Sequence, residues 1–414
     1  MNGYRDIVIA GGGMVGISLA LQLDALLPSE ISILLVEGVS LPAPGDTQTY
    51  HPSFDARSTA LSYSSRLIYE QMGVWETLQE WLCPIDRIHV STRGRFGSAM
   101  LDAADHGWPA LGYVAENAWL GRALVQSLSR RPRIELRSPA RVVEVRKKAG
   151  GVHLRIAEDV ESELDAALLL VADGANSPLC RQLGVDLVEK PYAQHAVVAN
   201  IVSARAHDGC AFERFSEEGP LALLPLPVAP GAEHRSALVW TLPPERATAM
   251  VDCPASEFLE HLQRGFGYRL GRLRQVGTRQ SYPLALTLSG EQVRHSIVVM
   301  GNAAHALHPV AGQGYNLALR DIAELAGVLA DGFCEGRALG DLHMLARYQR
   351  RQRADQARTI GFSDRVPALF MHNDPLLGMG RDLALAGLDM LPALKREFVR
   401  HAAGVAALGE QPGA

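Results

Sequence analysis

The sequence holds three short segments whose glycines and polar residues are spaced to bind a phosphorylated cofactor. In the first, Gly11-x-Gly13-x-x-Gly16, the glycines allow a tight turn, a close approach of the backbone to a pyrophosphate, and close helix packing. Glu37 lies 21 residues after Gly16, where a carboxylate can accept hydrogen bonds from an adenosine ribose. The turn contains two further candidate cofactor-binding residues, Met14 and Val15. This motif alone leaves FAD and NAD as alternatives.

The second and third segments each follow a short apolar run. Asp173 and Gly174 come directly after Ala167–Ala172, which predicts a carboxylate at the carboxyl edge of a sheet, where ligands bind. In the third segment, Asn302 can hydrogen-bond a polyol, and a glycine-rich stretch opens a helix whose dipole can stabilise negative charge. The candidate cofactor-binding residues of this third segment are Gly301, Asn302, Pro309, Gly312, Gln313, Gly314, Tyr315 and Asn316.

These segments need strands and helices of a nucleotide-binding fold to position them. Asp6–Ala10 and Ile31–Glu37 are predicted to be buried parallel strands, separated by a helix from about Met14 to Leu26. A further buried strand is predicted at Ser296–Met300, followed by a helix over Gly314–Leu329. The region between positions 191 and 283 differs, since short alternating runs there are typical of an antiparallel sheet. Those runs are His195–Val202, Leu221–Leu226 and Ser236–Leu242, with a helix at Ala255–Phe266.

The predicted fold class is therefore α/β, or α+β overall. A Rossmann-like cofactor-binding domain is interleaved with an antiparallel-sheet substrate domain, and helices follow at the C-terminal end. The expected boundaries are 1–75, 115–185 and 285–350 for the discontinuous cofactor-binding domain. Residues 76–114 and 186–284 form the expected substrate domain, and 351–414 the helical region.

Composition excludes several other classes of protein. The net charge is −5 and the pI about 6.3, so no basic stripe for nucleic acid is expected. The five cysteines are far apart and odd in number, which favours free thiols in a reducing cytoplasm over a disulfide framework. His305 and His308 are three residues apart, but no Asp, Glu or Cys cluster completes a metal site, and no metal is expected.

Taken in order, the three motifs resemble those of class A flavoprotein monooxygenases, the family of para-hydroxybenzoate hydroxylase. Within that family, the chain most resembles the ubiquinone-biosynthesis hydroxylases, in particular those that act on 2-polyprenyl-6-methoxyphenol. The wider family has Asp where this chain has Asn302. The stretches that carry the narrower likeness are Phe54–Arg57 with Ala60–Ser62, Phe212–Phe215 with Gly219–Ala222, and Gly301–Ala304 with Leu307–Pro309.

The resemblance implies that FAD is the tightly held cofactor, that NADPH or NADH reduces it transiently, and that molecular oxygen is the co-substrate. It further implies hydroxylation of 2-polyprenyl-6-methoxyphenol through a flavin C4a-hydroperoxide. By the same likeness, Arg57 is expected near the flavin edge or the nicotinamide nucleotide, and Arg122 near the FAD pyrophosphate or ribityl chain. The candidate catalytic or substrate-facing residues are His308, Pro309, Phe215 and Pro225, with Leu223 a further candidate for the substrate wall.

Other functions stay open at this point. One is another flavin-dependent hydroxylase of the same pathway, and others are a flavoprotein reductase and a non-catalytic flavoprotein scaffold. A halogenase is disfavoured because none of the five tryptophans forms a Trp-x-Trp pair. We expect a cytoplasmic protein, with two hypotheses about partners: peripheral contact with the inner face of the membrane through Val366–Leu394, Arg381 and Lys395, and membership of a ubiquinone-biosynthesis complex.

Overall fold

A computed structural model describes residues 3–43, 51–53, 55, 57–95, 97–216, 218–229, 234–308, 312–371 and 392–405, with side chains described outside 366–371 and 392–394. Its first eleven strands are β1 Gly3–Ala10, β2 Ile33–Val36, β3 Ser58–Ser62, β4 Cys83–Ile85, β5 Arg87–Thr92, β6 Ser98–Asp102, β7 Gly112–Glu116, β8 Ile134–Arg137, β9 Arg141–Lys148, β10 Gly151–Ala157 and β11 Ser162–Val171. The later strands are β12 Leu187–Ser203, β13 Cys210–Phe215, β14 Pro220–Pro225, β15 Arg235–Leu242, β16 Leu273–Val276, β17 Gln280–Ser289, β18 Val293–Arg294, β19 Ile297–Val299 and β20 His305–Ala306.

The helices of the described residues alternate with these strands. They are α1 Met14–Leu26, α2 Tyr63–Gln71, α3 Trp75–Leu78, α4 Asn117–Ser129, α5 Pro178–Gln182, α6 Pro244–Asp252, α7 Ala255–Phe266, α8 Gln313–Cys334, α9 Leu342–Met371 and α10 Pro392–Ala402.

The first sheet carries the cofactor motifs. Its strands lie in the order β18-β19-β11-β1-β2-β8, with β9 and β10 extending it from β11. The central strands pair in parallel and are apolar on both faces, as expected where helices cover both sides of a sheet. Helices α1 and α8 pack on one face within a cluster of fully buried aliphatic side chains. The carboxyl ends of β1, β2, β11 and β19 therefore meet at one edge.

The second sheet is mostly antiparallel and has the order β20-β17-β12-β15-β14-β13-β5-β6. Helices α6 and α7 pack on one of its faces, where Phe258, Leu262 and Phe266 are fully buried. Its other face is not covered by these helices and is turned to the interior between the two sheets. A small third sheet, β3-β7-β4, lies beside them.

The predicted fold class is confirmed, since cofactor-binding strands and an antiparallel sheet alternate along the chain. The helix predicted at Ala255–Phe266 is observed with the same bounds. One detail differs. Strand β12 is 17 residues long and begins at Leu187, before the predicted start at His195. The division into domains at the stated boundaries stays a prediction.

Candidate active site

The glycine-rich turn joins β1 to α1 in the geometry that its residues require. Gly11 has φ +109°, a conformation that disfavours any side chain, and its amide donates to the carbonyl of Val36 at 2.8 Å. A Cβ on Gly11 would collide with the backbone of Ala172 and Asp173, and one on Gly16 would collide with the carbonyl of Gly11. The turn thus depends on glycine for the close approach of two strands and of helix to turn.

Glu37 follows β2 and points its carboxylate at this turn. The carboxylate accepts hydrogen bonds from the backbone N–H of Gly12 and from that of Val39, the latter at 2.8 Å. Burial opposes its ionisation, but hydrogen bonds from His51, Val39 and Gly12 outweigh burial and lower the pKa of Glu37. The acid is therefore held ionised beside the first turn of α1, as an acceptor for a ribose must be.

Asp173 stands at the carboxyl end of β11, next to β1. Burial raises the pKa of its carboxyl group, although a hydrogen bond with Ser177 acts in the opposite direction. Its Oδ1 is buried and has no hydrogen-bond partner among the described residues. Such a buried acceptor without a donor is costly, and a ligand hydroxyl at this edge would satisfy it.

The third motif continues this edge from β19. Gly301 has φ +59°, and a Cβ there would press on the side chain of Val15, so the motif packs directly against α1. Asn302 is exposed at the cavity described below. Gly312, with φ +60°, caps α8, and the first turn of α8 lines the same space. Backbone N–H groups at this helix start favour negative charge.

Several predicted residues hold the site together. Asn316 uses all four hydrogen-bonding positions of its amide: Oδ1 accepts from Ser62 N–H and Ser65 Oγ, and Nδ2 donates to the carbonyls of Ala60 and Gly312. This amide therefore fixes α8 against β3 and α2, although Asn316 also lines the cavity. The Tyr315 hydroxyl lies 3.0 Å from Ser18 Oγ and contacts Tyr69, and burial raises the pKa of Tyr315 to about 12.

One large cavity joins the cofactor edge to the second sheet. Its volume is about 1520 Å³, which exceeds the roughly 300–1,000 Å³ usual for a single small ligand. At one end it is lined by Gly13, Met14, Val15, Gly174, Asn302 and the start of α8. At the other end it reaches the uncovered face of the second sheet and then Phe362, Phe398 and Val399. A dinucleotide and a second, mostly apolar molecule would lie in continuous space.

Comparisons with known proteins agree with this architecture. Residues 4–360 match the FAD binding domain family. The chain is 33% identical to the ubiquinone hydroxylase UbiL of Rhodospirillum rubrum, over 98% of this chain and 91% of that protein. It is 30% identical to the 3-demethoxyubiquinol 3-hydroxylase of Escherichia coli, over 98% and 100%. The p-nitrophenol 4-monooxygenase PnpA of Pseudomonas putida shares the fold, with a TM-score of 0.78 at 18% identity, over 99% and 100%.

The chain belongs to the FAD-binding domain family. This membership decides between the two cofactors that the glycine motif left open, and it confirms the FAD-dependent monooxygenase predicted from the three motifs. The residues present fit FAD. Gly13 lines the cavity, where its bare backbone would admit the pyrophosphate. Glu37 suits the adenosine ribose, and the Asp173 oxygen without a hydrogen-bond partner suits a hydroxyl of the cofactor.

The structure places Arg57 at the cavity and Arg122 away from its lining. Arg57 lines the cavity, where its guanidinium bonds Asp55 at 2.6 Å and lies 4.9 Å from the centre of the Tyr282 ring. Arg122 lies over the Trp119 ring at 4.5 Å and is not among the residues lining the cavity. The roles of both arginines toward FAD or the nicotinamide nucleotide stay predictions. Pro309 lies outside the described residues.

His308 and Phe215 both line the cavity and are buried. Burial lowers the pKa of His308 to about 4, so the imidazole is neutral at physiological pH, and its ring meets Tyr192 edge-on. The register of β14 corrects the expectation for Leu223 and Pro225. Side chains alternate along a strand, and Leu224 faces the cavity while Leu223 packs in the core under α6 and α7. Pro225 lies two positions after Leu223, so its side chain points to the same face of β14 as that of Leu223. It is absent from the cavity lining.

Sequence reasoning missed Glu213. This residue lies on β13, two positions before Phe215, and lines the cavity on the wall formed by the second sheet. The signal was present in the sequence, because alternation along Ala211-x-Glu213-x-Phe215 places one acid on an otherwise apolar face. Recognising it required the face that is turned to the cavity, which local sequence does not specify.

Two negative findings concern the described residues only. No group of three or more His, Cys, Asp or Glu side chains there could hold a metal ion, and His305 instead bonds Asp321 at 2.7 Å within the core. In the same part of the chain, no helix combines the length and the apolar character needed to cross a membrane.

Proposed function

We propose that this protein is an NAD(P)H-dependent FAD monooxygenase that hydroxylates a prenylated phenol in ubiquinone biosynthesis, with 2-polyprenyl-6-methoxyphenol as its substrate. The observation that carries the proposal is the continuous cavity, which runs from the FAD-binding edge to an apolar wall. The relatives named for ubiquinone hydroxylation align over 98% of this chain, so the alignment covers the strands of the wall as well as the cofactor edge.

Within this proposal, one group of residues holds FAD and another keeps water away from it. Glu37, Asp173, Asn302 and the first turn of α8 hold and orient FAD, which when bound and reduced supplies the activation of molecular oxygen. The second sheet excludes water, because its cavity face is made largely of alanine, valine, leucine and proline side chains. Exclusion of water protects an activated cofactor from wasteful breakdown.

The apolar far end suits the prenyl tail. Leu101, Leu111 and Val399 form a buried cluster where β6 meets α10, and all three line the cavity. Each methylene of a tail placed there would contribute about 0.8 kcal/mol of transfer free energy. A ring held near FAD with its tail directed toward α10 is therefore the orientation we propose.

Membrane contact is part of the same proposal. Beside this far end, α10 carries Arg396 and Arg400 exposed, while Lys395 pairs with Asp105 at 3.3 Å. Exposed basic side chains beside the apolar end of the cavity favour anionic lipid. Most of the predicted contact segment, Val366–Leu394, and Arg381 lie outside the described residues. Sedimentation with vesicles of anionic and of neutral lipid tests this, and absence of binding to both, as well as to partner enzymes of the pathway, would remove it.

The first test is an absorbance spectrum of the purified protein, followed by NADPH oxidation with and without a short-tailed 2-prenyl-6-methoxyphenol. The expected results are flavin bands, oxidation stimulated by the phenol, and a product that carries one oxygen atom from molecular oxygen. Flavin bands without stimulation would overturn this substrate. A demethoxyubiquinol should be assayed in parallel, because the 30% identical relative is named for hydroxylating one, and turnover of that compound alone would support this second candidate.

A further inference from the structure

One row of side chains runs across the cavity wall. The register places Ala99, Val90, Glu213, Ala222, Val239, Val198 and Gln280 opposite one another on seven neighbouring strands. All seven line the cavity. Glu213 is the only acidic side chain among the described residues that do so, and the neighbours beside it in the row are Val90 and Ala222.

Charged groups near β13 face the other way. Arg214 points to the helix-covered face, where it donates to the carbonyl of Gly265 at 3.0 Å, and His89 on β5 meets the Phe212 ring on that face. Arg87 lies two positions before His89 on β5, so its side chain points to the same helix-covered face. Strand β14 contains no ionisable residue. The other ionisable side chains lining the cavity are Arg57, Tyr282, His308 and Tyr315.

The Glu213 carboxyl group therefore has an unusual setting. No hydrogen bond or ion pair from another described residue reaches it. Burial alone raises the pKa of Glu213 to about 7. Glu213 is half-buried on this apolar wall, where an ionised acid without a partner is less well solvated than in bulk water. Acids perturbed in this way cluster at functional sites. A carboxyl group with a pKa near the working pH is suited to general acid–base catalysis.

We propose that Glu213 is the catalytic base that takes the proton from the substrate's phenolic hydroxyl. This rests on the proposed function. The O–H bond breaks, its proton moves to a Glu213 Oε, and its electron pair enters the ring, which makes the carbon ortho or para to it more nucleophilic. That carbon bonds one oxygen atom derived from molecular oxygen activated on reduced FAD, and the other oxygen atom leaves as water. The ring then loses its hydrogen as a proton, which balances the proton taken up by the oxygen atom that leaves as water, and Glu213 returns its own proton to the phenolic oxygen.

The test compares Glu213→Gln with Glu218→Gln, which makes the same chemical change on the β13–β14 hairpin but outside the cavity lining. Glu213→Gln should retain the flavin spectrum and FAD reduction by NADPH but form hydroxylated product about 100-fold more slowly. The variant's rate should recover as alkaline pH ionises the phenol directly. Glu218→Gln should behave as the wild type.

The pH profile supplies a readout that does not depend on the variant folding. In the wild type, product formation should fall on the acid side with a midpoint near pH 7, as Glu213 becomes protonated, whereas FAD reduction should not show this limb. A second variant, Glu213→Asp, should keep the limb at a reduced rate. A flat wild-type profile between pH 6 and 8 would overturn the proposal, as would a Glu213→Gln variant with wild-type product formation.

Binding gives a readout without turnover. At pH 8 the ionised carboxylate repels a phenolate, so 4-nitrophenolate should bind Glu213→Gln at least about tenfold more tightly than the wild type. The two proteins should converge at pH 6, where Glu213 and the nitrophenol are both mainly protonated and the repulsion is gone. An equal affinity of the two proteins at both pH values would contradict the proposal. If the wild type itself oxygenates no phenol, the proposed function fails. If it does and the variant is unimpaired, only the role of Glu213 fails.

Discussion

The two ends of the cavity are built by different means. At the FAD end, function rests on backbone: glycines at turns, strand ends and a helix start bring N–H groups and a few acids to one edge. At the wall, function rests on side chains that come from seven strands spread between β5 and β17 and that meet through the register of those strands. A cofactor shared by many proteins can be held by a short, recognisable motif, whereas a substrate pocket is assembled from scattered residues.

The largest effect should come from Gly11→Ala, which breaks the FAD end alone. The substitution forces a side chain into a left-handed conformation and into the backbone of Ala172, so FAD affinity should fall on the order of 100-fold, or about 2.7 kcal/mol. Quenching of flavin fluorescence on titration measures it. Gly150→Ala is the matched control, because Gly150 also has positive φ but a Cβ there meets nothing within 4 Å. Equal losses in both variants would show that strain alone is responsible.

A smaller loss of FAD affinity should follow Asp173→Ala. This substitution removes the carboxylate whose buried Oδ1 has no hydrogen-bond partner among the described residues. Loss of a hydrogen bond to a charged group costs about 1.5–3 kcal/mol, so FAD should bind at least about tenfold more weakly. Asp173→Asn keeps one oxygen acceptor and should lose less. The same titration compares the two, and an alanine variant with wild-type affinity would exclude Asp173 from the FAD site.

A substitution on the wall formed by the second sheet should change the binding of the phenol instead of the binding of FAD. Ala222→Phe projects a ring into the cavity beside Glu213, and steady-state kinetics should show the KM for the phenol raised about tenfold, since overpacking costs roughly 1–3 kcal/mol. FAD affinity should be unchanged. Leu223→Met, on the helix-covered face of the same strand, is the control. Reduced FAD binding in Ala222→Phe would mean that the two ends are not independent.

The smallest effect concerns Glu37 and pH. Because its pKa is lowered in the folded protein, the ionised group stabilises the fold above the ordinary carboxyl pKa of about 4, and that contribution disappears as pH falls through the folded-state value. Urea unfolding of Glu37→Gln should show a loss of about 1–2 kcal/mol at pH 7. The difference from the wild type should shrink below pH 4. A difference independent of pH would assign the loss to shape instead of charge.

The same difference between the FAD end and the wall determines which features the sequence could predict. The turn at Gly11, the acid at Glu37 and the start of α8 depend on neighbours within a few positions, so local spacing specified them. Pro225 was placed on the wrong face because a shift of one residue along a strand reverses every side chain. The Asn316 amide makes three of its four hydrogen bonds with residues more than two hundred positions away, and Glu213 owes its place to the face of β13 on which it lies. No local pattern carries that information.

The order of strands in the first sheet has a consequence for synthesis on the ribosome. Strand β1 pairs with β11, and Leu169 of β11 pairs with Ile297 of β19. When β1 and β2 emerge they can pair with each other, but β11, the other neighbour of β1, and β8, the other neighbour of β2, have not been made. Strand β19 follows about 300 residues later. Parallel pairing over such separations folds slowly and leaves apolar edges open meanwhile. The first turn of α8 is the last of the proposed FAD-holding elements to be made. FAD would then bind and stabilise the finished fold, and flavin supply should govern how much of this protein accumulates.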